Sequence, residues 1–139
     1  MLFRSKRMKK LIPFLLAVLI LAGCSSNARS KEGNTYRQVT AKEAASLMET
    51  EENYIILDVR TETEYAEEHI PNAVCIPNET IGTSEIPQLP DKQQLILVYC
   101  RSGNRSKQSA AKLAALGYTN VVEFGGINDW TGETVSGKG

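Results

Sequence analysis

The amino-acid sequence predicts an α/β domain whose largely parallel sheet is covered by helices on both faces. Two runs, "YIILDV" and "LILVYC", are apolar without alternation, which is typical of strands buried on both faces of a sheet. A segment with helical character follows each of them. Strands and helices that alternate in this way are typical of parallel sheets built from βα units.

The first predicted elements begin near Tyr36, where "YRQVT" indicates a short strand. The next segment, "TAKEAASLMET", predicts a helix, because Thr40 and Glu43 have the spacing of a capping box. Its apolar side chains fall on one helical face: Ala44, Leu47 and Met48.

The middle of the chain predicts two more strands around a short helix. "NYIILDV", residues 53–59, is the first of these strands, and "TETEYAEEH" is a polar helix with Thr61 as its cap. Arg60 and Glu64 have the i, i+4 spacing of an ion pair. "NAVCIP" predicts a second central strand, in which Cys75 is expected to be a small buried apolar side chain.

The last third contains the clearest strand and the clearest helix. Residues 79–94 have the composition of a loop, and "LILVYC" then predicts a buried strand that ends at Cys100. "SKQSAAKLAALG" predicts a helix from about Ser106 to Gly117, since Gly is a common helix C-terminal residue. After it we expect a strand in "NVVEF", a turn at Gly125-Gly126, a short helix in "INDW" and a polar tail from residue 131 to 139.

The N-terminal segment has the pattern of an export signal. Residues 1–10 contain five basic side chains and no acid, and residues 11–22 are an apolar stretch too short to span a bilayer comfortably. The following "LAGC" resembles the lipobox of bacterial lipoproteins, which implies cleavage before Cys24 and lipid on that cysteine. An uncut signal anchor is the alternative.

These boundaries divide the chain into three parts. Residues 1–23 are the predicted signal peptide, residues 24–35 a small, polar tether, and residues 36–139 the folded domain. We therefore expect a protein that is held on the extracytoplasmic face of a bacterial membrane by lipid on Cys24.

The charge of the mature part argues against nucleic-acid binding. The signal contains five of the 16 basic residues and none of the 16 acidic ones, which leaves 11 basic and 16 acidic side chains, a net charge of −5. An acidic domain is poorly suited to a phosphate backbone. With one His and no Cys-x-x-Cys pair, we expect neither a metal nor a cofactor, and without an exposed apolar stripe we expect a monomer.

The residues with chemistry form one short loop, "CRSGNR", at the end of the clearest strand. In parallel sheets, sites lie at the carboxyl ends of strands. The Gly-Asn pair permits a tight turn whose N–H groups point into one concavity, and the next helix adds its positive end. Such surroundings favour a thiolate, so Cys100 is the predicted nucleophile. The predicted anion-binding residues are Arg101, Ser102, Gly103, Asn104 and Arg105.

Three segments together resemble single-domain rhodaneses: "ILDVRTETEYAEEHIPNAVCIP", "VYCRSGNRS" and "LAALGYTNVVEFGGINDW". The resemblance runs from about Gln38 to Trp130 in the family's order. It implies a five-stranded parallel sheet with helices on both faces. It also implies that Cys100 takes sulfane sulfur from an anionic donor such as thiosulfate and passes it to cyanide or a thiol.

Alternatives remain open. Rhodanese-fold phosphatases resemble this pattern, but their loop is longer, and four residues between Cys100 and Arg105 suit a sulfur atom better than a phosphoryl group. A binding or sulfur-relay module without turnover is the second alternative. Asp58 and Arg60 match the family's "DVR" and are expected to hold neighbouring loops by hydrogen bonds and ion pairing. His69 is expected to be structural, and a Cys75–Cys100 disulfide is left undecided.

Overall fold

A computed structural model describes residues 35–138 of the 139-residue chain. One sheet contains five parallel strands in the order β1-β5-β4-β2-β3: β1 (Arg37–Gln38), β2 (Tyr54–Asp58), β3 (Val74–Cys75), β4 (Leu95–Cys100) and β5 (Val121–Gly126). The predicted parallel α/β architecture is confirmed. The predicted signal peptide, Cys24 and all but the last residue of the tether lie outside the described residues.

Helices cover both faces of the sheet. They are α1 (Ala41–Thr50), α2 (Glu62–Glu67) and α3 (Asn104–Ala115), with 3₁₀ helices at Asn78–Thr80 and Ile127–Asp129. The core on the α3 face includes Ile96, Val98 and Cys100 of β4, and the core on the α1 and α2 face includes Leu95, Leu97 and Tyr99. Because side chains alternate along a strand, β4 places the Cys100 thiol on the face that α3 covers.

Local sequence signals fix the ends of the helices. Both predicted N-caps, Thr40 and Thr61, form complete capping boxes with the glutamates three residues later. Helix α3 begins at Asn104, two residues before the predicted start. Gly117 ends that helix region with a φ of 96°, as predicted. Within residues 35–138, every helix falls short of the length and apolar character that crossing a lipid bilayer requires.

Three sequence predictions about this fold were wrong in detail. "NAVCIP" supplies β3, which is a two-residue edge strand and not a central one, and Val74 on it is 40% exposed. Cys75 is accordingly half-buried and not a fully buried side chain. Gly125 and Gly126 are the last residues of β5 and not a turn, because Gly126 pairs with Cys100 across a bulge in the ladder.

The segment from residue 131 also departs from the expected polar tail. Val135 forms an antiparallel bridge with His69, with N–H···O distances of 2.8 and 2.9 Å between the two backbones. The Gly137 amide donates to the Ala66 carbonyl at 2.8 Å. The tail therefore binds along α2, where its own backbone hydrogen bonds hold it.

Candidate active site

Cys100 lies at the carboxyl end of β4, where the chain turns into α3. Its side chain is 1% exposed and is packed on the α3 face of the sheet. Strand β4 is central and paired on both sides, so the position of the thiol is fixed by the sheet and not by a loop.

Residues 101–105 connect β4 to α3 and fold over the thiol. Gly103 takes a left-handed φ of 113°, and its amide donates to Cys100 Sγ at 3.0 Å. Helix α3 starts at the next residue and directs the positive end of its dipole toward the sulfur. Arg101, Ser102 and Asn104 are exposed around the mouth of this loop. The loop thus forms a cradle with the sulfur at its base, and its binding of an anion stays a prediction.

The cradle changes the acidity of the thiol. Burial alone would raise the pKa of Cys100, but hydrogen bonds from the Ser106 side chain and from the backbone amides of Ser106, Gly103 and Ser102 outweigh it. The net pKa of Cys100 lies below its ordinary value. Hydrogen bonding to the sulfur, from the Gly103 amide at 3.0 Å above all, favours the thiolate, which is the nucleophilic form of cysteine.

Behind the sulfur lie two polar side chains that the sequence analysis did not single out. Ser106 Oγ is 3.4 Å from Cys100 Sγ and 2.6 Å from the Glu123 carboxylate. Both side chains are almost fully buried, with Ser106 0% and Glu123 2% exposed. They connect the thiol to a carboxyl group in the interior.

Arg105 is bound by Glu64 and not free for a ligand. Its two terminal nitrogens donate to the two Glu64 oxygens at 2.8 and 3.0 Å, a bidentate pair. Glu64 also closes the α2 capping box with Thr61. The predicted Arg60–Glu64 pair is therefore wrong. Glu64 thereby holds the Arg105 end of the cradle. The Arg101 Nε atom lies 3.7 Å from Glu64 Oε1, on a side chain that is 60% exposed.

The Glu64 clamp predicts a pH-dependent contribution to stability. The Arg105 hydrogen bonds, opposed by burial, lower the pKa of Glu64 from 4.5 to about 2. A carboxyl group whose pKa is lower in the folded state stabilises the fold above pH 4.5, and that contribution is lost as the pH falls toward 2. Glu64→Gln should therefore cost about 2 kcal/mol at pH 7 and less at pH 3.

Urea unfolding of both proteins at the two pH values checks this prediction. Glu49→Gln, the same change at an exposed position on α1, serves as the control and should have no comparable effect. A cost of Glu64→Gln that is equal at pH 7 and pH 3 contradicts the assignment of the ion pair.

Close backbone approach holds the other side of the loop. A Cβ atom built on Gly126 would lie 1.9 Å from the Arg101 carbonyl oxygen and 2.5 Å from the Ser102 nitrogen. The Arg101 carbonyl also accepts a hydrogen bond of 3.2 Å from the Asn128 amide. The carboxyl end of β5 therefore supports the cradle directly, and glycine is the residue that permits this contact.

Asp58 and Arg60 form a buried ion pair beneath the neighbouring loops. Arg60 donates to the Asp58 carboxylate at 2.6 and 3.0 Å and to the Glu68 carbonyl at 2.6 Å. Tyr99 donates its hydroxyl to Asp58 Oδ2 at 2.7 Å. Asp58 is 0% and Arg60 3% exposed. The pair thus joins the end of β2 to the Glu68 carbonyl after α2, and neither side chain is in hydrogen-bond contact with Cys100.

Breaking this buried pair should be costly. Asp58→Asn keeps the shape but leaves the Arg60 guanidinium buried without a counter-charge, so we expect a loss of about 3 kcal/mol in the free energy of unfolding. The exposed pair Lys92–Glu85, at 3.2 Å, offers the matched control, because Glu85 is 82% exposed. Glu85→Ala should cost less than about 1 kcal/mol. Guanidinium unfolding measures both, and similar losses would refute the prediction.

Two further residues resolve questions left by the sequence. His69 is buried, and its Nδ1 lies 2.7 Å from the Tyr65 carbonyl, so it is structural as predicted. Cys75 and Cys100 are both free thiols. They lie on β3 and β4, the two strands that flank β2, so two strand spacings, about 10 Å, separate their backbones. A disulfide needs Cα atoms within about 7 Å, so this fold does not permit the pair to bond.

A parallel α/β sheet with a cysteine at the end of its central strand, covered by the loop that leads into the next helix, defines a class of domains. Comparison with known proteins identifies the family. The profile described as Rhodanese-like domain matches residues 40–133, and the chain belongs to this family. A second profile, described as Prokaryotic membrane lipoprotein lipid attachment site, matches residues 8–25 and supports the predicted signal and lipid anchor.

Individual relatives agree with the family. The Escherichia coli protein named Thiosulfate sulfurtransferase PspE is 36% identical over 73 residues, which are 52% of this chain and 70% of that protein. Thiosulfate sulfurtransferase GlpE of Coxiella burnetii is 33% identical over 96 residues, 68% of this chain and 87% of that protein. A solved structure described as "rhodanese with anions from E. coli" is 33% identical with a TM-score of 0.56, and covers 60% of this chain and 99% of its own. Sulfur transfer is thus the reaction class at family level.

Proposed function

We propose that this protein is a sulfurtransferase in which Cys100 carries sulfane sulfur from thiosulfate to cyanide or to a thiol. The observation that supports this most directly is the position of the sulfur, buried at the base of a loop whose Gly103 amide donates to it at 3.0 Å. Nucleophile and electrostatic stabilisation are thereby combined in one short segment.

The reaction proceeds in two displacements. The Cys100 thiolate attacks the outer sulfur of thiosulfate, the sulfur–sulfur bond of the donor breaks, and sulfite leaves with the electron pair. Cys100 then carries a persulfide. In the second step the carbon of cyanide, or the sulfur of a thiolate, attacks the outer sulfur, and Cys100 recovers its electron pair as a thiolate. No oxidant or reductant from outside is needed.

Recognition of the anionic donor is assigned to residues 101–105. Arg101 is the exposed cation at the mouth, since Glu64 occupies the Arg105 guanidinium. Ser102, Gly103 and Asn104 contribute backbone N–H groups, and Arg105 sets the width of the loop through its clamp. A thiol that is 1% exposed admits a single sulfur atom more readily than a phosphoryl group, which favours sulfur transfer over phosphate hydrolysis.

Mass spectrometry after incubation with thiosulfate tests the proposal. We expect the mass of one sulfur atom to be added to the peptide that contains Cys100, and to be lost as thiocyanate when cyanide is supplied. A persulfide that forms but does not turn over would identify a sulfur-relay module. No added sulfur, with hydrolysis of p-nitrophenyl phosphate, would overturn the proposal in favour of a phosphatase.

We further propose that the domain acts on the extracytoplasmic face of the membrane, tethered by lipid on Cys24. The lipid attachment site that matches residues 8–25 supports this proposal, together with the export signal in residues 1–23. The intact mass of membrane-extracted protein should show a chain that begins at Cys24 and carries acyl groups. A chain that retains residues 1–23 contradicts the tether.

A further inference from the structure

The Ser106 hydroxyl lies among more acceptors than it can satisfy. Its Oγ is 2.6 Å from Glu123 Oε1, 2.9 Å from the Gly103 carbonyl, 3.2 Å from the Gly125 carbonyl and 3.4 Å from Cys100 Sγ. A hydroxyl carries one hydrogen and two lone pairs. The shortest of these contacts, to Glu123, requires a hydrogen between the two oxygens.

Glu123 is a buried carboxyl group with no role in the reaction described above. It is 2% exposed, on the same sheet face as Val121 and Cys100. Its Oε1 accepts from the Gly125 amide at 2.8 Å as well as from Ser106. A carboxyl group costs free energy to bury, and its sheet neighbours opposite, Gln38 and Val98, carry no charge that would offset the cost.

The single Ser106 hydrogen permits two arrangements of the proton that Cys100 and Glu123 share. In one, Ser106 donates to the Glu123 carboxylate and accepts from the Cys100 thiol. In the other, protonated Glu123 donates to Ser106, which donates to the Cys100 thiolate. With both groups ionised, two buried anions would compete for the one Ser106 hydrogen, and each would keep a backbone amide as its other hydrogen-bond donor, Gly103 for Cys100 and Gly125 for Glu123, which is unfavourable.

We propose that Cys100, Ser106 and Glu123 form a proton relay. Cys100 loses a proton as its thiolate forms, and Glu123 accepts a proton through the Ser106 hydroxyl. Glu123 is therefore a positioning residue. This deepens the proposed function and rests on Cys100 being the nucleophile. The Sγ–H bond breaks and leaves its electron pair on sulfur. The proton binds Ser106 Oγ while the Ser106 hydrogen moves to Glu123 Oε1, so no proton leaves the protein.

Other charged groups near the relay do not supply an alternative acceptor. Arg101 and Arg105 on the loop are cations, and Glu64 is held by the Arg105 guanidinium. Asp129 Oδ2 lies 3.8 Å from the position of a Cβ on Gly125, but among the described residues the carboxylate that Ser106 Oγ donates to is that of Glu123, at 2.6 Å. Glu123 is the carboxyl group in contact with Ser106.

The pH dependence of Cys100 alkylation by iodoacetamide tests the relay. The rate is followed on the Cys100 peptide by mass spectrometry, so the other cysteines do not contribute. The thiolate with a proton on Glu123 has the same net proton count as the thiol with ionised Glu123. Measured from about pH 4 to about pH 9, the wild-type rate should therefore include a plateau, a range over which it changes by less than about twofold per pH unit. In Glu123→Gln the rate should instead fall about tenfold for each pH unit below its midpoint.

Ser106→Ala provides a second variant, since a smaller side chain introduces no clash. It breaks the bridge and should lose the plateau in the same way, whereas Glu49→Gln, the matched exposed change, should keep it. Two results would overturn the relay. One is a wild-type alkylation rate that falls tenfold for each pH unit across the whole range measured, and the other is a plateau that persists in Glu123→Gln. Alkylation does not use thiosulfate, so a failed sulfur transfer with an intact plateau would refute the proposed function and not the relay.

Discussion

Replacement of Cys100 by serine should reduce thiocyanate formation from thiosulfate and cyanide by at least about a thousandfold, to the level without protein. A serine oxygen retains the shape of the site and its hydrogen bonds, but it cannot form the sulfur–sulfur bond on which the carrier role depends. The added sulfur seen by mass spectrometry in the wild-type protein should be absent from the variant. The loss should appear in the rate of the first displacement and not in the fold.

Cys75→Ser is the matched control for this change. It replaces the other cysteine within residues 35–138, a half-buried thiol on the edge strand β3. Burial, followed by the nearby Asp58 carboxylate, raises the pKa of Cys75 to about 11, so this thiol is a poor nucleophile at neutral pH. We expect full activity in Cys75→Ser. Activity that survives in Cys100→Ser, or is lost in Cys75→Ser, would move the carrier role to a different residue.

The sequence predicted those features that depend on neighbours along the chain. The strand that ends at Cys100, the left-handed Gly103 and the helix behind it are all specified within about 20 residues, and the structure contains each of them. The two capping boxes are likewise set by residues three apart. Local hydrogen bonds and side-chain alternation determine such elements, so a single sequence is sufficient to locate the cradle.

Features that depend on pairing between distant segments were missed or wrongly predicted. Glu64 was expected to bind Arg60 four residues earlier, but Asp58 is a closer partner for Arg60, and Glu64 binds Arg105, 41 residues away. Glu123 stands in the apolar run "VVEF", where nothing local shows that Ser106 will face it. A buried acidic residue within a predicted strand was the one signal that pointed to it.

Gly126 shows the same limit, because its importance depends on what approaches it. As part of a Gly-Gly pair it indicated a turn, whereas the structure places it in β5 against the loop backbone. The nearest atoms to an added Cβ belong to Arg101 and Ser102 main chain, which cannot rotate away as a side chain can. The cradle and the end of β5 are therefore built as one unit, although Arg101 and Gly126 are 25 positions apart in the sequence.

Gly126→Ala should accordingly displace the cradle and reduce kcat/KM for sulfur transfer by about a hundredfold, the effect expected when reacting groups move by about 1 Å. An added Cβ would lie 1.9 Å from the Arg101 carbonyl oxygen, so this carbonyl must move by more than about 1 Å to relieve the contact. The movement also breaks the hydrogen bond that the carbonyl accepts from the Asn128 amide. Gly82→Ala is the control, since a Cβ there meets no atom within 4 Å. Steady-state kinetics and thermal unfolding of both variants measure the effect. Because Cys100 lies on β4, the Gly126 variant should still be alkylated at Cys100. Wild-type kinetics in Gly126→Ala would contradict the prediction.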